Sequence, residues 1–368
     1  MELSGKSPTI RTHGEDPLNL ETPPHSLRES FVTPVERFFV RSHGTMPKVD
    51  PGGYTLTISG LTESPLDLTL KELKKRFPKK EMTAALHCAG NRRAELMQVR
   101  QIPGETAWGL GAIGNARWAG ISLRDVLLEA GVAGDAGDAA HVAFTGLDEI
   151  SLEDGTTRFG GSIPLEKALA GDVLLAYEMN GETLPRAHGY PLRVVAAGYI
   201  GARSVKWLSE IQVRKEPSEN YFHTREYRLY PADAAPGEAD PAEGEPLGDL
   251  YVNCAICRPT EGELVSGDPI KVAGYAITGG GRGIERVEVS ADGGETWSAA
   301  ELTPGEDSGS WVFWETRVEP GPERREVHLL ARARDTSGGV QPASPQQAWN
   351  PKGYVNNAYH RVNIRRTA

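Results

Sequence analysis

Cysteine is scarce in this sequence: its 368 residues contain only Cys88, Cys254 and Cys257. Three thiols are too few for a disulfide framework, and they indicate a reducing compartment in which one cysteine can have a special role. A Cys-x-x-Cys pair can bind zinc or carry redox chemistry, but Cys254 and Cys257 have no second pair and no helix signal behind them. They are therefore predicted to be ordinary buried residues at the end of a strand.

Long apolar runs and an excess of positive charge are also missing. No stretch of about eighteen apolar residues is present, which excludes a transmembrane helix. The first six residues contain neither an apolar signal region nor a twin arginine, so a cytoplasmic location is expected. The net charge is −10 at pH 7, and this acidic excess disfavours nucleic acid and anionic membranes as partners.

The length of the chain favours two domains, and the local patterns place the division after residue 230. Residues 1–230 mix strands and short helices without a regular βαβ alternation, which predicts an α+β domain. Residues 231–249 contain four prolines and six acidic residues but no lysine or arginine, a composition typical of a linker. Residues 250–368 contain short strands separated by Gly/Asp turns, which predicts an all-β sandwich of immunoglobulin type.

Several elements of the first domain have clear local signals. Thr69 and Glu72 form the pattern of a capping box that opens a helix, and Asn180-Gly181 predicts a tight hairpin. Residues 1–30 are polar and interrupted by prolines, so they are expected to lie over the domain as extended chain. Two further helices are predicted, over residues 122–131 and 164–171.

The stretch from His87 to Arg93 is the strongest candidate site. It follows an apolar run, residues 82–86, that predicts a short buried strand. The Ala-Gly-Asn after Cys88 predicts a tight turn with left-handed backbone, and two arginines follow it. Fixed positive charge near a thiol favours the thiolate, which is the form that attacks an electrophile or binds a metal. The alternative is that Cys88 is only a small buried hydrophobic residue.

Two further segments combine basic groups with aromatic residues or glycines. In residues 38–44, aromatic bulk is followed abruptly by Arg41 and His43, and Arg41 is either a solvated strand end or a functional cation. In residues 198–207, glycines alternate with basic and hydroxyl groups, a pattern expected where the backbone approaches an anion closely.

Seven collinear segments of the chain resemble the sulfite oxidase family of molybdenum enzymes, and specifically its haem-free, plant-type members. They follow the order of the family, and seven matching blocks are far more specific than any single motif. The segments are residues 39–44, 88–93, 111–120, 176–181, 184–193, 201–207 and 349–358.

The resemblance implies a molybdenum–molybdopterin cofactor that is bound to one protein thiolate, Cys88, and that oxidises sulfite to sulfate by oxygen transfer from an oxo-Mo(VI) centre. Soft sulfur suits such a transition metal. In the implied site, Arg41 and Arg93 would orient the oxyanion and Tyr221 would hydrogen-bond to the reacting oxygen. The implied substrate contacts are Arg41, Arg93, Trp108, Tyr221 and Lys352. The implied cofactor contacts are Phe39, Val40, Arg41, Ser42, His43, Asp148, His188, Arg193, Ser204, Val205 and Lys206.

The resemblance also implies a homodimer that forms through the second domain. The two domains use up the length and no cytochrome b5-like segment is seen, so no haem is expected. Electrons must then pass to oxygen or to an external carrier such as cytochrome c. Lys352 departs from the family pattern, because animal members have arginine there and nitrate-reducing relatives have an apolar residue. Lysine keeps the charge but lacks the bidentate fork of arginine.

Three alternatives remain at this level. The first is an enzyme of the same fold that reduces an oxyanion such as nitrate, or a sulfoxide. The second is a hydrolase in which His87 activates Cys88, although neighbouring residues on a strand point to opposite faces. The third is a binding protein built on the sandwich alone, which leaves the arginine-rich first domain unexplained. Metal analysis separates them, because only the sulfite-oxidising enzyme and the reductase would contain molybdenum.

Overall fold

The computed structural model describes residues 5–132, 138–153, 155–234, 240–267, 269–321 and 324–367. The strands of the first domain are β1 (Arg11–Glu15), β2 (Leu18–Glu21), β3 (Val40–Arg41), β4 (Thr55–Gly60), β5 (Leu66–Thr69), β6 (Lys80–His87), β7 (Ile113–Ser122), β8 (His141–Leu152), β9 (Gly155–Pro164), β10 (Val173–Met179), β11 (Glu182–Thr183), β12 (Arg193–Ala196), β13 (Leu208–Arg214), β14 (Arg228–Leu229) and β15 (Glu245–Pro246). Its α-helices are α1 (Leu70–Arg76), α2 (Arg93–Val99), α3 (Leu123–Glu129) and α4 (Leu165–Leu169). Single turns of 3₁₀-helix lie at Pro24–Arg28, Arg186–His188, Gly201–Arg203 and Pro241–Glu243, and a π-helical turn lies at Phe222–Glu226.

Two five-stranded sheets form the framework of the first domain. One has the order β11-β10-β7-β6, with β12 added beside β10, and the other has the order β5-β4-β13-β8-β9. The short helices cover these sheets with buried side chains such as Leu73, Val126 and Ala168. Strands and helices do not alternate in βαβ units, which confirms the predicted α+β class. Within the described ranges, no helix has both the length and the apolar composition that crossing a membrane requires.

The local signals for helices and turns are confirmed. Thr69 caps α1, because its Oγ1 accepts a hydrogen bond from the Glu72 N–H at 3.2 Å and the Glu72 carboxylate accepts one from the Thr69 N–H at 2.9 Å. Asn180 and Gly181 have φ angles of 56° and 85° and join β10 to β11. The helices α3 and α4 lie inside their predicted ranges and end before Gly131 and Gly171.

The N-terminal segment departs from its prediction as extended chain. Residues 11–21 form an antiparallel hairpin of β1 and β2, and β2 also pairs with β3. Leu18 and Leu20 are buried, but so are the polar Asn19 and Glu21. The sequence of β2 alternates apolar and polar residues, as a strand with one wet face would, but over only four positions, and both of its faces are covered in the fold. The hairpin holds β3, and therefore Arg41, in place.

The second domain is a sandwich of two sheets, as predicted. Its elements are β16 (Asn253–Arg258), β17 (Leu264–Val265), β18 (Ile270–Ile277), β19 (Ile284–Ser290), β20 (Ser298–Ala299), β21 (Glu301–Thr303), β22 (Val312–Val318), β23 (Glu326–Asp335), α5 (Pro345–Ala348) and β24 (His360–Arg366). The sheets have the orders β16-β18-β22-β21 and β17-β24-β23-β19-β20. Apolar side chains such as Val272, Trp314 and Leu329 form the core of the sandwich.

Cys254 and Cys257 lie within β16 rather than at a strand end. Both are buried and free, and burial raises the pKa of each thiol to about 12. Residues three apart on a strand point to opposite faces. Accordingly, Cys254 packs in the sandwich core and Cys257 packs in a second cluster that contains residues of the first domain. The two thiols therefore cannot bind one metal ion together.

A common apolar core joins the two domains. Tyr275 and Trp311 of the sandwich belong to the same buried cluster as Ala89 and Ile113 of the first domain. The hydroxyl of Tyr275 also donates a hydrogen bond to the carbonyl oxygen of Leu110 at 3.1 Å. The sandwich therefore supports the segment that follows β6.

The segment predicted as a linker is partly ordered into the fold. Its central residues 235–239 lie outside the described residues. Its C-terminal part forms β15, which pairs with β14, and Leu247 and Leu250 are buried in the common core.

Candidate active site

A cavity lies between β3, the end of β6 and the loop after β12. It is partly enclosed and opens to solvent. Cys88 and every predicted cofactor residue except Val205 line it. Those lining residues are Phe39, Val40, Arg41, Ser42, His43, Asp148, His188, Arg193, Ser204 and Lys206. Val205 is buried, and its carbonyl oxygen accepts a hydrogen bond from the Val194 N–H at 2.8 Å.

Tight backbone packing brings two of the lining segments together. A Cβ atom on Gly44 would lie 2.1 Å from the carbonyl oxygen of Glu149, so the chain can approach β8 this closely only with glycine. The N–H of Ser42 donates to Asn19 Oδ1 on β2 at 3.2 Å. These contacts place the end of β3 beside Asp148, which β8 carries.

Cys88 follows the end of β6, as predicted, and a tight turn comes after it. The turn closes through hydrogen bonds from the Asn91 N–H to the Cys88 carbonyl and from the Arg93 N–H to the Gly90 carbonyl, both at 3.0 Å. The left-handed residue of the turn is Arg92, with a φ of 65°, and not the glycine or the asparagine. Arg92 is the N-cap residue of α2.

Only one of the two arginines behind Cys88 acts on its thiol. Arg92 is fully buried and turns toward the sandwich, where it donates to Asn253 Oδ1 at 2.8 Å and to the Ala358 carbonyl at 2.9 Å. Burial raises the pKa of Cys88, although the charges of Arg41 and Arg93 lower it. The predicted thiolate is thus not favoured in the protein alone, and a metal that replaces the thiol proton would stabilise it.

Buried cations crowd another part of the cavity wall. Lys206 Nζ donates to Ser42 Oγ at 3.0 Å and to the Ala187 carbonyl at 3.1 Å. Burial and the charge of Arg193 lower the pKa of Lys206 to about 7, and burial lowers the pKa of Arg193 to about 9. The Arg193 fork was predicted to hold phosphate, but it already donates to the carbonyls of His188 and Ser204, both at 2.9 Å.

The chemistry of the cavity fits an anionic cofactor. The cations Arg41, Arg193 and Lys206 line it together with a single carboxyl group, that of Asp148. An anion among buried cations favours their charged forms. Asp148 Oδ1 is buried without a hydrogen-bond partner, and burial raises the pKa of this carboxyl to about 6. A buried polar atom of this kind normally has a partner, which a bound ligand can supply.

A metal at Cys88 would need ligands from outside the protein. In the described part of the chain, no three His, Cys, Asp or Glu side chains come together as a possible metal site. A metal bound by one thiol must therefore bring its other ligands with it, as the dithiolene of molybdopterin does. The donor set and the cationic wall both fit such a group.

The predicted substrate residues Arg41 and Arg93 both lie close enough to Cys88 for their charges to lower its pKa. Arg41 lines the cavity, and its Nη1 donates to Asn19 Oδ1 at 3.3 Å. Arg93 lies outside the lining. Its guanidinium donates to the Lys352 carbonyl at 2.9 Å and pairs with Glu105 at 3.0 Å.

The structure places the other predicted substrate residues away from the cavity lining. Lys352 Nζ lies 3.0 and 3.2 Å from the two carboxylate oxygens of Glu226, and Tyr221 Oη donates to the same carboxylate at 3.2 Å. Glu226 also accepts from Tyr354 Oη at 3.1 Å. Trp108 is fully buried, and its Nε1 has no hydrogen-bond partner.

Tyr227 is a lining residue that the sequence analysis missed. Its Oη lies 2.7 Å from His43 Nε2, and its ring stacks on Tyr354 with 5.4 Å between centroids. Of the two tyrosines, Tyr227 lines the cavity and Tyr221 does not. The π-helical turn Phe222–Glu226 separates the two tyrosines, and such a turn has no simple sequence signal.

Comparison with known proteins finds relatives of both domains. Residues 43–222 match the family model described as the oxidoreductase molybdopterin binding domain, and residues 245–367 match the Mo-co oxidoreductase dimerisation domain. The chain is 42% identical to sulfite oxidase from Gallus gallus, over 97% of this chain and 78% of that protein. It is 39% identical to sulfite oxidase from Arabidopsis thaliana, over 98% of this chain and 95% of that protein. It also resembles the crystal structure of the sulfane dehydrogenase SoxCD from Paracoccus pantotrophus, with a TM-score of 0.77 and 28% identity, over 97% of this chain and 88% of that chain.

Proposed function

The chain belongs to the sulfite oxidase family of molybdenum enzymes, and from this premise we propose that it oxidises sulfite to sulfate at the cavity beside Cys88. The observation that carries the proposal is a single thiol at a cavity whose cations and unpartnered carboxyl oxygen fit an anionic cofactor. When bound there, molybdenum with molybdopterin supplies two-electron oxidation and oxygen transfer to sulfite.

The lining residues have distinct tasks in holding that group. Cys88 would provide the protein's ligand to the metal, since soft sulfur suits this site. Lys206 and Ser204 would bind the phosphate of the pterin, with Arg193 adding charge from a fixed position. Asp148 would hydrogen-bond to a polar edge of the pterin through its unpartnered Oδ1.

Sulfite would bind through Arg41, Arg93 and Tyr227. The protein has a net charge of −10, so local cations must draw the dianion in. Burial raises the pKa of Tyr227, which keeps its hydroxyl protonated. This hydroxyl can then donate a hydrogen bond to an oxygen of the substrate and hold it in a reactive orientation.

Lys352 would act on the same anion while Glu226 partly neutralises its charge. A cation at this position supports the dianion sulfite over the alternative of nitrate, which carries a single negative charge. We expect the positive charge of Lys352 to attract sulfite at a distance. Other residues would make the shortest contacts to the anion.

Three further features belong to the proposal. The match of residues 245–367 to a dimerisation domain supports a homodimer, which light scattering at micromolar concentration will test. We also propose that these 368 residues bind no haem, which the absorption spectrum of the purified protein will test. Electrons would then pass to oxygen or to a cytochrome c-like carrier.

The decisive experiment combines metal analysis with an activity assay. Purified protein should contain about one molybdenum per chain, as the single thiol of the site implies, and should reduce ferricyanide or cytochrome c when sulfite is added. Oxygen uptake in parallel identifies the acceptor, and nitrate tests the alternative reaction. In Cys88→Ser the hydroxyl is a harder ligand that stays protonated, so the competent metal centre should be lost. Normal sulfite oxidation by Cys88→Ser would refute the role of this thiol.

A further inference from the structure

One side chain of the N-terminal segment, Lys6, reaches the cavity wall from behind. Its Nζ lies 2.7 Å from the carbonyl oxygen of Val35, 2.9 Å from that of Phe38 and 3.0 Å from Nε2 of His188. Phe38 and His188 line the cavity, whereas Lys6 does not. The lysine therefore contacts the outer side of two residues whose other side faces the cofactor space.

The backbone around Lys6 is anchored to the same part of the wall. The N–H of Ser7 donates to the Glu36 carbonyl at 2.8 Å, and Ile10 packs against the buried cluster that contains Val40. Burial lowers the pKa of Lys6 to about 7, while the charge of Glu36 opposes this shift. Burying a cation without a close carboxylate partner is costly, and an anion in the cavity would offset that cost.

The contacts of Lys6 determine the proton position on His188. An ammonium group has three N–H donors and no acceptor, and the three neighbours of Nζ fill these donors. Nε2 of His188 then accepts whenever Lys6 carries its charge, which an anion bound in the cavity favours. Burial, with the charges of Lys6, Arg193 and Lys206, lowers the pKa of His188 well below its ordinary value, so the ring is neutral and its proton lies on Nδ1. In the described part of the chain, no protein group accepts from this Nδ1–H.

We propose that Lys6 is a positioning residue for the molybdopterin cofactor, which acts by fixing the ring and the tautomer of His188 so that Nδ1–H is available to the bound group. This inference rests on the proposed function. The competing explanation is that Lys6 only fastens the N-terminal segment to the carbonyls of Val35 and Phe38. In that case its effect would not depend on His188.

The test is a double-mutant cycle with cofactor release as its readout. Lys6→Met, His188→Ala and the double variant are made as holoproteins, with Lys71→Met as the matched control because Lys71 is exposed. Each protein is diluted, and the released molybdopterin is measured over time as its fluorescent oxidation product. Thermal unfolding and molybdenum content are measured in parallel, so that loss of the fold is recognised.

We expect Lys6→Met to release the cofactor about tenfold faster than the wild type, the effect of losing one hydrogen bond to a charged group. In the His188→Ala background the same change should have less than about a twofold effect, because the pair acts as a unit. Equal release from Lys6→Met and Lys71→Met would overturn the proposal, and so would a full effect in the His188→Ala background.

A second pair of variants tests the tautomer if Lys6→Met does not fold. His188→Asn places an amide N–H near the position of Nδ1, whereas His188→Gln places it near Nε2. Release should be slower from His188→Asn, and the reverse order would contradict the assignment. Wild-type protein without molybdopterin would refute the proposed function itself. If the wild type retains the cofactor and Lys6→Met retains it equally well, only the role of Lys6 is refuted.

Discussion

Replacing Glu226 by glutamine should make the enzyme bind sulfite more tightly. The Glu226 carboxylate holds the ammonium of Lys352 at 3.0 and 3.2 Å and accepts from the hydroxyls of Tyr221 and Tyr354. Burial lowers the pKa of Lys352, but the charges of Glu226 and Glu105 outweigh it and raise that pKa above its ordinary value. Glutamine keeps an oxygen that accepts hydrogen bonds and removes the negative charge. The positive charge of Lys352 is then less neutralised when the sulfite dianion approaches.

The size of the effect follows from how exposed the pair is. The side chains of Lys352 and Glu226 are 25% and 19% exposed. Their interaction should therefore lie between that of an exposed pair, at most about 1 kcal/mol, and that of an interior hydrogen bond to a charged group, roughly 1.5–3 kcal/mol. Taking about 1 kcal/mol, the KM for sulfite should fall about fivefold at low ionic strength. Added salt should reduce the gain, because ions screen an accessible anion site.

The assay is steady-state sulfite oxidation with ferricyanide at low and high ionic strength. Glu219→Gln is the matched control, since its carboxylate is 86% exposed and pairs with Arg214 at 3.3 Å in the segment just before the π-helical turn. Molybdenum content and the thermal midpoint establish that each protein is folded and loaded. An unchanged or higher KM in loaded Glu226→Gln would refute the argument that Lys352 acts on the substrate.

Three other variants test separate parts of the structure. Tyr227→Phe removes the hydroxyl that contacts His43 at 2.7 Å, so it should lower kcat about tenfold. Tyr221→Phe should change kcat little, and steady-state kinetics compares the two variants. Arg41→Gln should weaken binding about tenfold, the effect of one hydrogen bond to a charged group, and calorimetric titration with sulfate measures it independently of turnover. Burial raises the pKa of Glu95, but the charge and hydrogen bonds of Arg92 lower it below its ordinary value, so their stabilisation is present above about pH 4.3 and is lost as the pH falls further. Glu95→Gln should therefore lower the thermal midpoint more at pH 7 than at pH 3, and an equal loss at both would contradict this account.

Features that depend on neighbours along the chain could be predicted from the sequence. The capping box of Thr69, the hairpin at Asn180 and the position of Cys88 after a buried strand each require only a few adjacent residues. The strand β2 alternates apolar and polar residues over only four positions, and the burial of its polar face, which depends on distant parts of the chain, could not be predicted.

Features that depend on distant partners could not be predicted. The acceptors of Arg92 on Asn253 and Ala358 are 161 and 266 residues away, so the arginine was assigned to the thiol instead of to the sandwich. Tyr227 was missed because the π-helical turn decides which tyrosine faces inward. The direction in which the Tyr227 side chain points follows from backbone geometry that composition and spacing do not encode.

The hydrogen bonds of Arg92 limit how the two domains can be recombined. Arg92 belongs to the turn that begins at Cys88, yet Asn253 and Ala358, which complete its hydrogen bonding, are carried by the sandwich. A fragment of residues 1–230 would keep the Glu95 partner of this guanidinium but lose those acceptors, and hydrogen-bond donors left without partners are costly. The catalytic half is therefore not an independent module. A chimera that exchanges the sandwich must supply matching acceptors, or the turn that presents the thiol will relax.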